Sequence, residues 1–209
     1  MQSKFDSLIP EQIKGKKTEL DHAEILPSEE AAIKCFERAH KRLLNPAVWH
    51  QLAGIFSAEF YPITEQTHEA LHRLAKVNDY LKIDIPGPGP TLGEGYDWVK
   101  VAQIEYYSEP PTGTEGVGMK LVPCEDPIKN SNEVAHFFTS EASSTFIIKR
   151  KGNQVTSYYY GRNETPNVHT SSTADNIRNA IVSSGALASL SEAQWLALIK
   201  GFLQPEIGG

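Results

Sequence analysis

Cysteine is scarce in this chain: Cys35 and Cys124 are the only two among 209 residues, and they form no CxxC pair. That excludes a disulfide framework and the common cysteine-rich metal modules. The two are expected as reduced, half-buried thiols, with a single disulfide as the alternative. Long apolar runs are also missing, and nothing approaches the roughly 18–20 residues that span a bilayer. The opening residues MQSKFDSLIPEQIKGKK carry no apolar core of the kind a signal peptide needs. The sequence therefore predicts a soluble, cytoplasmic protein. Positive charge is in deficit, with 20 Lys and Arg against 26 Asp and Glu and a formal net charge of −6. A general nucleic-acid binder needs a concentrated basic surface, so that class is disfavoured. The densest basic run, Lys149-Arg150-Lys151, falls at an expected hairpin tip and reads as a solvated turn. No G-x-S-x-G elbow, P-loop or helix-entering G-x-G-x-x-G occurs, and no spacing supports a Ser–His–Asp set.

The chain does carry an ordinary globular composition, 40% hydrophobic and 22% charged, which suffices for one ample core. Residues 1–27 are polar and weakly patterned and are expected as an extended arm. From Ser28 a helical stripe of Ala32, Cys35, Phe36, Ala39 and Leu43 begins. Glu29 and Glu30 sit in its first turn and Lys41 and Arg42 in its last, each matched to the helix dipole. Asn45-Pro46 ends it and starts a second, short helix that exits at Gly54. The middle, 55–160, reads as β-rich. Leu81, Ile83 and Ile85 alternate with polar residues, the period of a strand with one buried face. Val99 and Val101 share one parity while Ile104 and Tyr106 take the other, which predicts a bulge near Ala102-Gln103. Residues 108–116 read as a loop, Val117, Met119 and Leu121 as a strand, and 135–138 as a short strand. Residues 145–150 and 154–160 form the clearest hairpin. Residues 64–77 fit either a helix or a loop feeding the next strand. The tail is helical over 172–203, with Ile177, Ala180 and Ile181 as one apolar face. A capping-box pattern at Ser191 and Gln194 precedes Trp195, Leu198, Ile199 and Phe202. The fold class is thus α+β: a single domain over 28–209. Its centre is a strongly bent antiparallel sheet or small β-barrel, and helices from both ends pack on it.

Three candidate sites emerge. The first is the loop over 86–98, PGPGPTLGEGYDW, where Pro88, Tyr96 and Trp98 could form a shallow aromatic surface for a small ligand, peptide or protein. Asp97 lies between the rings as the one ionisable group. The competing reading is that Tyr96 and Trp98 fold back as a plug of the core. The second lies just past the hairpin, where Arg162, Asn163 and Glu164 are either polar site groups or parts of a self-satisfied turn. Tyr158, Tyr159 and Tyr160 precede it, with the first and third on one face and the second on the other. The third is His68-Glu69-Ala70-Leu71-His72. On a helix these histidines would share a face and could chelate zinc, with Glu69 as general base. The pentapeptide resembles the zincin metalloprotease signature, over those five residues only. RLAKVN follows His72, so the longer H-x-x-G-x-x-H continuation is absent. The leading expectation is a binding module that uses the aromatic loop and has no cofactor. The alternatives are a zinc-dependent hydrolase and an assembly subunit whose arm and last helices cover a partner.

Overall fold

β1 (Lys16–Ile25) opens the fold as an edge strand rather than a free arm. Its charged residues suit an edge exposed to water. The computed structural model describes residues 5, 7–54, 57–64, 69–85, 89–129, 133–183 and 192–205. After β1 come α1 (Glu29–Leu43) and α2 (Trp49–Ala53), then six strands: β2 (Glu59–Ile63), β3 (Tyr80–Asp84), β4 (Asp97–Glu109), β5 (Thr114–Pro123), β6 (Ser143–Lys151) and β7 (Gln154–Glu164). α3 (Thr173–Ser183) and α4 (Glu192–Leu203) complete the chain. All pairings are antiparallel, in the order β1-β7-β6-β5-β4-β3-β2. The result is a mixed α+β fold in which a curled 7-stranded sheet stays open between β1 and β2, the bent sheet of the two architectures expected.

Local chemistry explains most of these elements. Ser28 caps α1, its Oγ accepting from the Ala31 N–H at 3.2 Å. The expected stripe of α1, from Ala32 to Leu43, is its buried face. Pro62 lies in β2, an edge strand where its missing N–H costs no ladder bond. The β4 register shifts between Val101 and Gln103, which is the bulge the parity change requires. Gly152 takes the first place of the two-residue β6–β7 loop with φ +57°, a turn conformation that L side chains resist.

Several expectations change. The 108–116 loop shrinks to a 3₁₀ turn at Pro110–Thr112, because Ser108 and Glu109 already pair with Glu115 and Thr114. Residues 135–138 make an isolated bridge between Phe138 and Pro166 rather than a strand. Residues 69–77 contain no helix, while 65–68 lie outside the described residues. Ser191 also lies outside them. α3 is turned over relative to its apolar pattern: Asp175, Asn179 and Val182 are buried while Ile177 and Ile181 are 61% and 50% exposed. Its polar groups saturate loop backbone. Asp175 accepts from the N–H groups of Thr91 and Leu92, and Asn179 donates to the Asn167 carbonyl. Bonds of this kind outweigh the burial of two isoleucines when loop amides would otherwise go unpaired.

The main core lies on the concave face. α1 and α4 pack there on Phe60, Leu81, Val101, Met119, Phe146 and Ile148, with Trp49 at 4.9 Å from Phe146. Phe5 and Leu8 cover part of the convex face with Ile147, beside half-buried Tyr158 and Tyr160. Cys35 and Cys124 are free thiols, the first buried and the second half-buried. No described helix is long and apolar enough to cross a membrane.

Candidate functional site

Core packing is incomplete at one end of the concave face. A cavity of about 330 Å³ remains there, walled by Ile83, Val99 and Leu121 of three adjacent strands, Phe137 of the following loop, Val182 of α3 and Trp195 of α4. At roughly 30 Å³ per water molecule, this is room for on the order of ten waters or a small organic molecule. The walls are mostly apolar, and the exceptions cluster where β7 ends against β1.

Glu164 is the centre of that cluster. Simple alternation would put it on the convex face with Tyr158, Tyr160 and Arg162. A bulge prevents this: Thr18 pairs with Gly161 but Lys16 with Glu164, so β7 gains one residue. The extra residue is accommodated by Asn163, which takes φ +55°, a left-handed conformation that Asn tolerates better than most. Its side chain is pinned by the N-terminal segment, accepting from the Ile13 N–H at 2.8 Å and donating to the Glu11 carbonyl at 3.0 Å. Parity flips, and the Glu164 carboxyl swings back over Gly161. A Cβ at position 161 would lie 2.3 Å from Glu164 Oε1, so glycine is the residue that fits.

Thr18 donates to Glu164 Oε2 at 3.0 Å and the Tyr159 hydroxyl to Oε1 at 3.3 Å. The same hydroxyl lies 3.3 Å from Ser144 Oγ. Burial pushes the Glu164 carboxyl above the usual carboxylate range, against the opposing effect of the Thr18 bond. Burial likewise holds the Tyr159 phenol well above its ordinary value, so it stays a neutral donor. The Tyr159 and Trp195 rings stack at 4.9 Å, which presents one continuous aromatic surface to the void. Lys16 and Glu192 also line the cavity. They pair with each other at 2.7 Å, each about half exposed, where the cavity meets solvent. His136 is buried against Phe137 at 4.1 Å between ring centroids, and its Nδ1 accepts from the Phe138 N–H. Burial depresses its pKa to about 3, so it contributes no charge near neutrality.

A second buried charge holds the walls together. Asp97, fully buried at the start of β4, receives the Arg178 guanidinium through both oxygens and accepts from the Phe137 N–H at 3.0 Å. One carboxylate thereby ties α3, which carries Val182, to the loop that carries Phe137.

The residues singled out from sequence separate accordingly. Trp98 is 1% exposed and packs with Ile63, Tyr80 and Ala135, its indole N–H directed at the Gly93 carbonyl. It is a core plug, as the competing reading had it, and offers no surface to a ligand. Tyr96 packs at the edge of that cluster under Lys82 Nζ, which lies 4.1 Å from the ring centroid. Asp97 is consumed by the pair just described, and Pro88 lies outside the described residues. Arg162 is in β7 rather than a turn. It is buried with its guanidinium on Glu19 and the Thr18 and Gly161 carbonyls. Glu164 alone reaches the cavity. His68 lies outside the described residues, and Glu69 and His72 are exposed in a stretch without helix, so the shared helical face that zinc chelation needs is missing there. Among the described residues no group of three or more His, Cys, Asp or Glu could hold a metal ion. Sequence reasoning missed Thr18, Ser144 and Trp195 as site residues. Tyr159 had one signal: in a Tyr-Tyr-Tyr run across a strand, the middle ring takes the opposite face from its neighbours.

No protein-family model matches this chain, and no curated protein does. Solved structures resemble it weakly. The major latex-like protein 151 of Panax ginseng is 11% identical, with 82% of this chain and 97% of that one covered and a TM-score of 0.33. Truncated norcoclaurine synthase from Thalictrum flavum is 12% identical over 94% and 100%, with a TM-score of 0.34. A protein from Arthrobacter aurescens is 10% identical over 90% and 87%, with a TM-score of 0.33. Likeness at this level carries nothing about function.

Proposed function

We propose that this protein binds one small, largely apolar molecule in the cavity under the curled sheet, its polar end against Glu164, Tyr159 and Ser144. The observation that supports this most is a buried carboxyl facing a void. Removing an ionisable group from water is costly unless its partners compensate, and an unfilled apolar space forfeits packing as well. Both costs fall on the same spot here, and an occupant would relieve both. The expected binding module is retained, and its site moves from the aromatic loop to the cavity.

The test is titration with a neutral, solvatochromic apolar dye, followed by its emission. One dye per chain is expected, with emission shifted to the blue. Val182→Phe puts a ring into the cavity from the α3 side. It should weaken binding at least ~10-fold, which corresponds to about 1.4 kcal/mol, while the melting temperature stays close to that of the parent. Unchanged affinity in a folded Val182→Phe protein would place the dye elsewhere and refute the proposal.

A further inference from the structure

The charges around the cavity do not balance, and the imbalance has a sign. This inference rests on the cavity reading above. The groups that face Glu164 are Lys16 from β1, Glu192 from α4, Tyr159 from its own strand and His136 from the loop beyond β5. Lys16 is spoken for by Glu192 at 2.7 Å, and Glu164 has no ion pair among the described residues. The tyrosine and the histidine are neutral near pH 7, for the reasons given above. With Glu164 ionised, the cavity therefore carries one uncompensated negative charge. A carboxylate offers about four acceptor positions. Thr18 and Tyr159 occupy two of them, one on each oxygen. The stacked Tyr159 and Trp195 rings and the Phe137 ring line the same space, and the face of an aromatic ring attracts a cation.

We propose that the cavity selects an amine carried on an apolar, aromatic-sized skeleton, with its ammonium on Glu164 and its hydrocarbon part against Trp195, Phe137 and Val182. The ammonium supplies the missing counter-charge and donates to the two acceptor positions that Thr18 and Tyr159 leave open among the described residues. An alcohol of the same skeleton donates one bond and leaves the charge. A carboxylate meets both Glu164 and Glu192.

Three ligands of one skeleton test this by calorimetry at neutral pH: phenylbutylamine, phenylbutanol and phenylbutanoate. The amine is expected to bind roughly 10–100-fold more tightly than the alcohol, the range of a hydrogen bond to a charged group, with the carboxylate weakest. Glu164→Gln keeps the shape and the acceptor for Thr18. It should lower the amine's affinity more than the alcohol's and bring the two within a few-fold of each other. A measurement on the parent protein stands independently of that variant. The amine's affinity should fall as pH drops through the raised Glu164 pKa, by up to about tenfold per unit, while the alcohol's stays flat. The amine itself remains protonated up to about pH 10. If the alcohol binds in a manner sensitive to Val182→Phe but the amine is no tighter, the amine inference is overturned and the cavity reading survives. An amine preference that persists in Glu164→Gln, or an amine affinity flat with pH, also overturns it. If none of the three binds, both readings fall.

Discussion

Asp97→Asn is the substitution whose consequence the structure determines most directly. Asparagine preserves the shape of the side chain and an oxygen for the Phe137 N–H, and it removes the charge and turns the second acceptor for Arg178 into an NH2 donor. Arg178 is then left with its side chain 9% exposed, facing a neutral amide in a site where Asp97 is fully buried. Its side-chain bond to Asn179 Oδ1, at 3.1 Å, carries no counter-charge. At ~4 Å and an effective dielectric near 20, the lost attraction is about 4 kcal/mol. Breaking one partner out of a buried pair costs about 3–5 kcal/mol by the same physics. For a chain of this size that lowers the melting temperature by roughly 6–20 °C, at about 2–4 °C per kcal/mol. Urea unfolding followed by circular dichroism measures the cost. A double variant, Asp97→Asn with Arg178→Met, removes the cation as well and should recover at least half of the loss. A single-variant cost under about 1 kcal/mol, the range of exposed pairs, would refute the claim that this pair anchors α3. So would a double variant no more stable than the single. The ligand assay offers a second readout, because Val182 and Phe137 are both positioned through Asp97.

Two further outcomes follow from burial. Trp98→Ala should cost about 3–5 kcal/mol, the range for emptying a large aromatic site, and should leave ligand affinity in the folded fraction close to that of the parent. A stable variant that had lost its ligand would restore the aromatic loop as the binding surface. His136 is held neutral, its folded pKa of about 3 lying below the unfolded value of 6.5. Its contribution is therefore complete above pH 6.5 and is lost as pH falls, by about 1.4 kcal/mol per unit, or about 2.7 kcal/mol between pH 6.5 and 4.5. Glu164, with its folded pKa raised, acts in the opposite direction: its contribution is present at low pH and lost as pH rises. The difference between the parent and His136→Asn isolates the histidine. Asn can keep an acceptor for the Phe138 N–H without titrating, and parallel stability–pH curves for the two proteins would contradict the assignment.

How much of this was legible in the residues depends on whether the governing interaction was local. α1 was, because its stripe, its cap and its terminal charges all lie within one helix. So was the β4 bulge, since Val99, Val101, Ile104 and Tyr106 record the parity change directly. β1 was not. An edge strand with Lys16, Lys17, Glu19, Asp21 and Glu24 alternates too weakly to be told from a polar arm, and only its β7 partner makes it a strand. α3 misled for the opposite reason. Its isoleucines draw a clear apolar stripe, but its docking is decided by backbone amides at Thr91 and Leu92, a sheet's width away in sequence. Glu164 was named as a site residue without the cause that puts it inside. That cause is one left-handed residue, Asn163, braced by a segment about 150 positions earlier. The cavity itself is a property of strand ends and two helices meeting, so no single stretch could display it.

The most direct measurement is a crystal structure of the protein with phenylbutylamine. The account predicts density between Trp195 and Phe137, with the nitrogen within about 3 Å of a Glu164 carboxyl oxygen and the Thr18 and Tyr159 bonds retained. A ligand resting instead on the outer face beside Tyr96, or an empty cavity at saturating amine, would contradict it.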